Sequence, residues 1–368
     1  MLVRRLWLTD YRSYVSAAFE FEPGLTAVVG ANGQGKTNLV EALSYLATLD
    51  SFRGAPADAL VRTGAEKAVV RAEIIHDDGR ELLVEAEIAA RGRGRVQVNK
   101  QRLVRAADLL GVVRVSVFSP DDLVLVKGGP GERRTYLDIT LVALHPKHDA
   151  LRRDLERVLK QRTTLLRQAG GRLSAALALT LDVWDAKLAE VGEAFGRERA
   201  ALVHALGPRV HAAYVQLSGA DETVVLTYAP AWRSTGLAAA LADGRDDDVR
   251  RQLSLVGPHR DELDIELAGM PARTHASQGE QRTLALALRL GAHALVTERL
   301  GMPPVLVLDD VFSELDPDRC QALLDHLPAG QVVLTTASVL PAGAHPDRVI
   351  QIHAGAGATG QGAVARVD

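Results

Sequence analysis

The stretch "GLTAVVGANGQGKTNLVEALSYLATL" constrains the fold more than any other part of the chain. A short apolar run, LTAVV, leads into Gly30, and a periodic run with Leu39, Leu43 and Leu46 on one face follows it. That pattern predicts a buried strand, a glycine-rich turn and a helix. The turn, Gly30, Ala31, Asn32, Gly33, Gln34, Gly35, Lys36, Thr37, fits G-x-x-x-x-G-K-[ST] at every fixed position. Its glycines let successive backbone N–H groups wrap phosphate oxygens. Lys36 adds a point charge for the terminal phosphates, and the Thr37 hydroxyl is placed to ligate Mg²⁺. Asn38 extends this set of candidate nucleotide contacts into the first helical turn.

A second segment, "PVLVLDDVFSELD" from Pro304 to Asp316, complements the first. Four apolar residues in a row predict a strand buried on both faces of a parallel sheet. Asp309 stands at its end, where a Mg²⁺ shell needs a carboxylate. Asp310 follows on the opposite face of the strand and is expected to orient the attacking water. A third segment, "SQGEQRTLALALRL", opens a helix at Ser277. Free N–H groups at a helix start bind anions, and Ser277 with Glu280 also fits a capping box. Ser277, Gln278, Gly279 and Glu280 are the candidate contacts there.

The rest of the chain falls into two patterns. Residues from Lys67 to about Val104 alternate apolar and polar, with a hairpin signal at Asp77 to Gly79, and predict an antiparallel sheet. From Glu132 to Gln216 the spacing becomes helical, with Leu151, Leu155, Val158, Arg162 and Leu165 in one run and Leu181, Trp184, Leu188, Val191 and Phe195 in the next. Ala169 to Ser174 separates them, so an antiparallel helical pair is expected. The predicted organisation is an α/β head formed by residues 1–129 and 217–368, with an inserted helical domain at 130–216. The Gly/Ala-rich end from Gly355 is expected to be mobile.

Composition adds limits. A net charge of −3 over 368 residues argues neither for nor against nucleic acid. Cys320 is the only cysteine, which excludes an internal disulfide and a cysteine zinc site. The start "MLVRRLWLTDYRSY" lacks the apolar core of a signal peptide. No run approaches the ~18 apolar residues of a membrane span. A soluble, cytoplasmic protein without a membrane partner is expected.

The order of these motifs resembles that of the ATP-binding-cassette ATPases: Walker A at Gly30, a signature at Ser277, Walker B at Asp309 and a D-loop at Ser313 to Asp316. The long interval between Walker A and the signature resembles the SMC-like, DNA-handling branch, with a short insertion in place of a long coiled coil. Within that branch the chain is similar to the RecF family. The similarity is carried by "LTDYRSY", "GANGQGKTNLVEAL", "SFRG", "VFSPDDLVLVKGGPGERRTYLD", "LKQR", "GPHRDEL", "ASQGEQRTLALALRL" and "VLVLDDVFSELD".

The resemblance implies an ABC/SMC-type ATPase head, a mixed sheet plus an antiparallel sheet, with ATP and Mg²⁺ as cofactors. It implies a homodimer formed on ATP binding, in which Ser277 to Glu280 of one copy meet the ATP held by the other. It implies DNA binding at single-strand gaps and junctions with duplex. RecR, RecO and RecA are the implied partners in recombinase loading, DNA repair, replication restart and the SOS response. Hydrolysis is expected to be weak and DNA-stimulated. Where transport ATPases carry a glutamine, "FSPDDL" offers Asp121 or Asp122, and where they carry a histidine after Walker B, "VVLTTAS" offers Thr335 and Thr336. Lys36, Asp310 and Thr336 are the expected catalytic set, and Thr37 and Asp309 the metal ligands.

Two basic runs are candidates for phosphate contacts with DNA. One is "ARGRGRVQVNKQR", with Arg91, Arg93, Arg95, Lys100 and Arg102. The other begins with Arg133 and Arg134 and continues through Arg152, Arg153, Arg157, Lys160 and Arg162. Arginine and lysine on one face give salt-dependent, sequence-independent affinity. Aromatics are 4% of residues and do not interleave with these runs, which favours duplex or junction backbone over a stacking platform for single strands. The competing reading is a transport ATPase subunit; the long insertion and "GPHRDEL" speak against it.

Overall fold

The structure is a computed structural model that describes residues 1–76, 78–337, 340–341 and 343–353. Asp77 of the expected hairpin turn and the Gly/Ala end from Gly355 lie outside the described residues. In chain order the strands are β1 (Leu2–Tyr11), β2 (Tyr14–Glu20), β3 (Leu25–Val29), β4 (Lys67–Ile75), β5 (Glu81–Ala89), β6 (Arg95–Val98), β7 (Gln101–Arg102), β8 (Val115–Phe118), β9 (Val224–Thr227), β10 (Asp264–Leu267), β11 (Met270–Pro271), β12 (Val305–Asp309), β13 (Val332–Thr336) and β14 (Arg348–Gln351). The helices are α1 (Lys36–Thr48), α2 (Ala57–Leu60), α3 (Val124–Lys127), α4 (Pro130–Leu144), α5 (Lys147–Ala169), α6 (Ala175–Ser218), α7 (Leu237–Asp243), α8 (Arg245–Arg251), α9 (Ala272–His275), α10 (Gln278–Leu300) and α11 (Pro317–Asp325).

The chain divides into two compact units. One holds Met1–Leu123, Arg209–Asp221 and the chain from Ser277 onward; the other holds Val124–Pro208 and Glu222–Ala276. This differs from the expected insertion of 130–216. The second unit also draws in the segment that follows α6, because its polar residues bond the helices of that unit. The boundary within α6 falls at Pro208, which lies inside the helix and cannot donate its i→i−4 bond.

The first unit contains two sheets. Six strands pair antiparallel in the order β2-β1-β4-β5-β6-β7, and five pair in parallel in the order β14-β3-β13-β12-β8. The period-2 pattern explains the first. In β4, Ala68, Val70, Ala72 and Ile74 point inward and are fully buried, while Lys67 and Arg71 face solvent. In the second sheet every residue of β12 and β13 is buried, as in a sheet covered on both faces. α1 joins the two sheets: Leu39, Val40, Leu43 and Leu46 share one core cluster with Leu6, Leu8, Val70 and Val84 and with Val28, Val307 and Val333. Each such fully buried aliphatic side chain contributes about 1.5–3 kcal/mol. The helix that follows the glycine loop is therefore the central packing element of its unit.

The second unit packs α4, α5, the first part of α6, α7 and α8 with the three-stranded sheet β11-β10-β9. Its polar centre is Arg162, wholly buried, whose Nε meets Asp185 at 2.6 Å and whose Nη1 meets Asp248 at 2.6 Å and Ser254 Oγ at 2.8 Å. "GPHRDEL" lies in this unit as a packing hub. The Pro258 carbonyl accepts from Arg199 at 2.6 Å, Asp261 accepts from Trp232 Nε1 at 2.7 Å and from the Tyr228 hydroxyl, and Glu262 pairs with Arg133. Among the described residues no helix is long and apolar enough to cross a membrane.

Candidate nucleotide site and nucleic-acid surface

β3 delivers the chain to Gly30, whose N–H donates to the Thr336 carbonyl at the end of β13. Gly33 has φ +79° and Gly35 has φ +107°, conformations that side chains rarely adopt. At Gly35 space is limiting too. An added Cβ would lie 2.9 Å from the Tyr14 hydroxyl and 3.0 Å from Ser13 Oγ. That hydroxyl donates to the Gly35 carbonyl at 2.9 Å, and Asn38 Nδ2 donates to Ser13 Oγ at 2.9 Å. The "DYRSY" turn between β1 and β2 thus fixes the loop from outside, and Asn38 serves that contact. The Ala31 N–H is held by Gln34 Oε1 at 2.9 Å, and Lys36 Nζ is tied across the loop to the carbonyls of Gly30 (2.7 Å) and Ala31 (3.0 Å).

Asp309 stands opposite. Its Oδ1 accepts from Thr37 Oγ1 at 3.2 Å and from Thr335 Oγ1 at 2.6 Å. Burial pushes this carboxyl up from its usual range; the hydroxyls of Thr335 and Thr37 oppose that, Asp310 adds to it, and Arg53 pulls weakly the other way. Arg53, exposed in "SFRG", is the charged residue that the motif reading left unused. Its backbone N–H is anchored on Ser51 Oγ, which donates to Glu41 at 2.5 Å, and Glu41 is gripped by Arg12 Nε and Nη2 at 2.8 and 2.7 Å. The Lys36 ammonium is pushed down by burial and drawn back by Asp310 and then Asp309.

Asp310 does not continue the strand. It takes a left-handed conformation (φ +50°), and its N–H is shared between the Thr335 hydroxyl at 3.0 Å and the Thr335 carbonyl at 3.2 Å. Asp tolerates that region better than most residues. Of the two adjacent threonines, Thr335 places its hydroxyl on Asp309. Thr336 is buried and meets the loop through its backbone carbonyl. The register Asp309↔Thr335 across β12 and β13 decides this. A carboxylate and a hydroxyl at this spacing are a hard-oxygen pair of the kind that suits Mg²⁺, which keeps most of its waters and bridges to phosphate.

Ser277, Gln278, Gly279 and Glu280 form the first turn of α10. The capping box is present: Ser277 Oγ accepts from the Glu280 N–H at 3.3 Å, and Glu280 Oε2 accepts from the Ser277 N–H at 2.6 Å. This turn is tied to the D-loop of its own chain, with Arg282 Nε 3.2 Å from Glu314 Oε2. Asp316 caps α11 by accepting from the Arg319 N–H at 3.0 Å. Between the two carboxylates offered by "FSPDDL" the structure discriminates. Asp122 is buried, takes the Ser119 N–H at 2.9 Å and pairs with Arg289 at 2.5 Å, whereas Asp121 is exposed.

The basic runs separate into paired and unpaired residues. Arg133 is corrected: it is buried, pairs with Glu262 at 2.7 and 2.9 Å and donates to the carbonyls of Leu125 and Gly128, so it has no face for DNA. Arg162 is corrected for the same reason. Arg134 donates to the Asp261 carbonyl at 2.8 Å, Arg153 pairs with Asp149 at 2.6 Å and Arg157 with Asp154 at 2.9 Å. Arg95 shares Glu87 with Lys67, at 3.0 and 2.8 Å. Arg91, Arg93, Lys100 and Arg102 are exposed and meet no carboxylate among the described residues. All four lie on the β5–β6–β7 edge, where Asn99 and Lys100 make a tight turn with φ +51° and +65°.

The chain matches the family model described as RecF/RecN/SMC N terminal domain over residues 2–340. It is 46% identical to the DNA replication and repair protein RecF of Streptomyces avermitilis, covering 92% of this chain and 94% of that one. It is 43% identical to RecF of Acidothermus cellulolyticus at the same coverage. Among solved structures it superposes with a TM-score of 0.88 on the recombination mediator protein RecF–ATPγS of the RecFOR pathway, at 28% identity and 96% coverage of both chains. An SMC head bound to the C-terminal winged-helix domain of ScpA superposes at 0.57 with 18% identity, a likeness of fold alone.

Proposed function

The chain belongs to the RecF family of DNA replication and repair proteins, and on that premise we propose that it is an ATP-gated DNA clamp. One observation carries the reading: Thr37, Asp309 and Thr335 converge beside the glycine loop, while Ser277–Glu280 present a second helix start tied to a D-loop. The loop N–H groups and Lys36 bind the triphosphate of ATP. Thr37 and Asp309 would hold Mg²⁺, which would supply charge neutralisation for the terminal phosphates. Gly30 to Asn38 of one copy and Ser277 to Glu280 of another enclose one ATP, so two ATPs hold a homodimer together. Asp310 orients the attacking water, and Lys36 and Thr336 complete the catalytic set; the threonine in place of an imidazole and an Asp shorter than Glu by one methylene make hydrolysis slow. DNA stimulates it, and turnover releases the dimer. The protein works in the cytoplasm at single-strand gaps and junctions with duplex. With RecR and RecO it promotes RecA loading, repair, replication restart and SOS induction. The DNA backbone lies along Arg91, Arg93, Lys100 and Arg102, with Arg95, Arg153 and Arg157 engaged only by exchanging their carboxylates and Arg134 only by leaving the Asp261 carbonyl.

Light scattering with a fluorescent ATP analogue tests the central claim. Lys36→Met should lose nucleotide binding. Ser277→Arg should bind nucleotide normally and stay monomeric, because its side chain fills the trans half-site. A Ser277→Arg protein that dimerises with ATP as the parent does overturns the reading.

A further inference from the structure

Gly279 is helical, and its φ places no demand for glycine. What it lacks is room. A Cβ there would lie 3.2 Å from Arg319 Nη1, 3.5 Å from Nη2 and 3.6 Å from Cζ, so the Nη1/Nη2 end of the guanidinium packs against the first turn of α10. Arg319 comes from α11, forty residues further on. Its backbone is pinned by the Asp316 cap, and Nη1 pairs with the Asp316 carboxylate. Among the described residues Nε is buried without a partner, and Nη2 has none.

This placement is electrostatically unfavourable as it stands. A helix N-terminus carries partial positive charge and disfavours a cation. The capping box uses the Glu280 N–H and leaves those of Gln278 and Gly279 without partners among the described residues. Two backbone donors and an incompletely satisfied guanidinium therefore converge on one turn. Glu280 and Asp316 offset part of the charge, but both are committed, one to the Ser277 N–H and the other to Arg319 itself. An oxyanion carrying more than one charge relieves the conflict by accepting from the helix start and the guanidinium together.

We propose that Arg319 is a positioning residue of the trans half-site. Its fixed charge beside Gly279 makes the signature turn selective for the terminal phosphoryl group of a triphosphate. This rests on the proposed ATP-bridged dimer. Arg319 does not reach the loop at Gly30 through any described contact, so it acts on assembly rather than on first capture of ATP. A diphosphate, lacking the terminal group, gains nothing from it.

The test separates the two steps with Arg319→Gln and Arg319→Lys in the full chain. Binding of a fluorescent ATP analogue is measured at dilute protein, and dimerisation by sedimentation equilibrium with ATP or ADP. Arg319→Gln should capture ATP normally and unfold at the parent's temperature. Its ATP-driven dimerisation should weaken by about 10-fold or more, the least that a lost charge-assisted hydrogen bond changes a constant. Arg319→Lys, which keeps the charge and loses the planar fit, should recover part of the loss. Gly279→Ala, which pushes the guanidinium aside, should add little to Arg319→Gln. An Arg319→Gln protein that dimerises with ATP like the parent overturns the proposal. So does one whose thermal stability or ATP capture falls in step with dimerisation, or equal failure of the Lys and Gln variants. Failure of the dimer reading itself is distinct: the parent would then show no ATP-driven dimer, or Ser277→Arg would still form one.

Discussion

Thr335→Val should expose how the buried carboxylate at the proposed metal position is kept ionised. Thr335 is wholly buried at the end of β13, so valine fits the space and removes only the hydroxyl. That hydroxyl is the closer of the two donors on Asp309, 2.6 Å against 3.2 Å from Thr37, and it also accepts the Asp310 N–H at 3.0 Å. The Asp310 N–H keeps its bond to the Thr335 carbonyl at 3.2 Å, so the αL turn survives. Asp309 loses its stronger partner while burial continues to disfavour its charge. A hydrogen bond to a charged group is worth about 1.5–3 kcal/mol, a factor of about 10 to 150 in a constant. The direction follows: the carboxyl moves further up, and its ionised form is lost as pH falls. Hydrolysis is assayed against Mg²⁺ concentration from pH 6 to pH 8.5. The half-saturating Mg²⁺ concentration should rise about ten-fold or more at pH 6 and less at pH 8.5, and the acidic limb should move to higher pH. Thr335→Ser, which keeps the donor, should follow the parent. A Thr335→Val protein with an unshifted acidic limb, or a deficit equal at all pH values, refutes the role assigned to this hydroxyl.

Two further outcomes test other parts of the molecule. Alanine at Arg91, Arg93, Lys100 and Arg102 together should flatten the dependence of duplex-binding affinity on log salt by about 3.6, from about 0.9 per phosphate contact; an unchanged slope in a salt titration would move the DNA surface elsewhere. His293 is buried in α10 with neither ring nitrogen partnered among the described residues, and burial pushes it down to about 4. The neutral ring is the folded form, so its contribution is complete above the unfolded value near 6.5 and is lost as pH falls towards 4, by about 2 kcal/mol at pH 5. His293→Leu should lose less stability than the parent between pH 7.5 and pH 5 in urea denaturation, and equal losses would reject the assignment.

The motifs were legible in the chain because each is local. The glycine spacing at Gly30 to Thr37, the four apolar residues before Asp309 and the Ser277–Glu280 box each specify their own turn within a few residues, and the structure forms all three. What was not legible depends on pairing at long range. Nothing in "LTT" tells which threonine meets Asp309; that is settled by the register of β13 on β12. Nothing in a run of arginines tells which is buried. Arg133 and Arg162 sit at helical spacings shared with exposed neighbours, and their carboxylates lie on distant segments at Glu262, Asp185 and Asp248. Glu262 and Asp248 among them draw residues 222–276 into the helical unit, against a boundary read from a change of periodicity.

Gly279 shows how the two kinds of information meet. As sequence it reads as a helix start where the backbone must stay open to an anion. In the fold the open side is already lined by a guanidinium delivered from Arg319. The missing Cβ therefore serves a contact within the chain, and an incoming phosphate meets a turn whose charge is set by another helix. Asp316 of the D-loop pairs with Arg319 of α11, and the same loop carries Glu314, the partner of Arg282 in α10. A shift of the D-loop would then move both arginines and alter the trans half-site at once. Because the D-loop begins three residues after Asp310, events at one nucleotide site of the proposed dimer would have a short covalent path to the half-site that the same copy offers to the other. In the proposed dimer that path would give a physical basis for two ATPs to act together, without requiring any contact beyond those between the signature turn, α11 and Walker B.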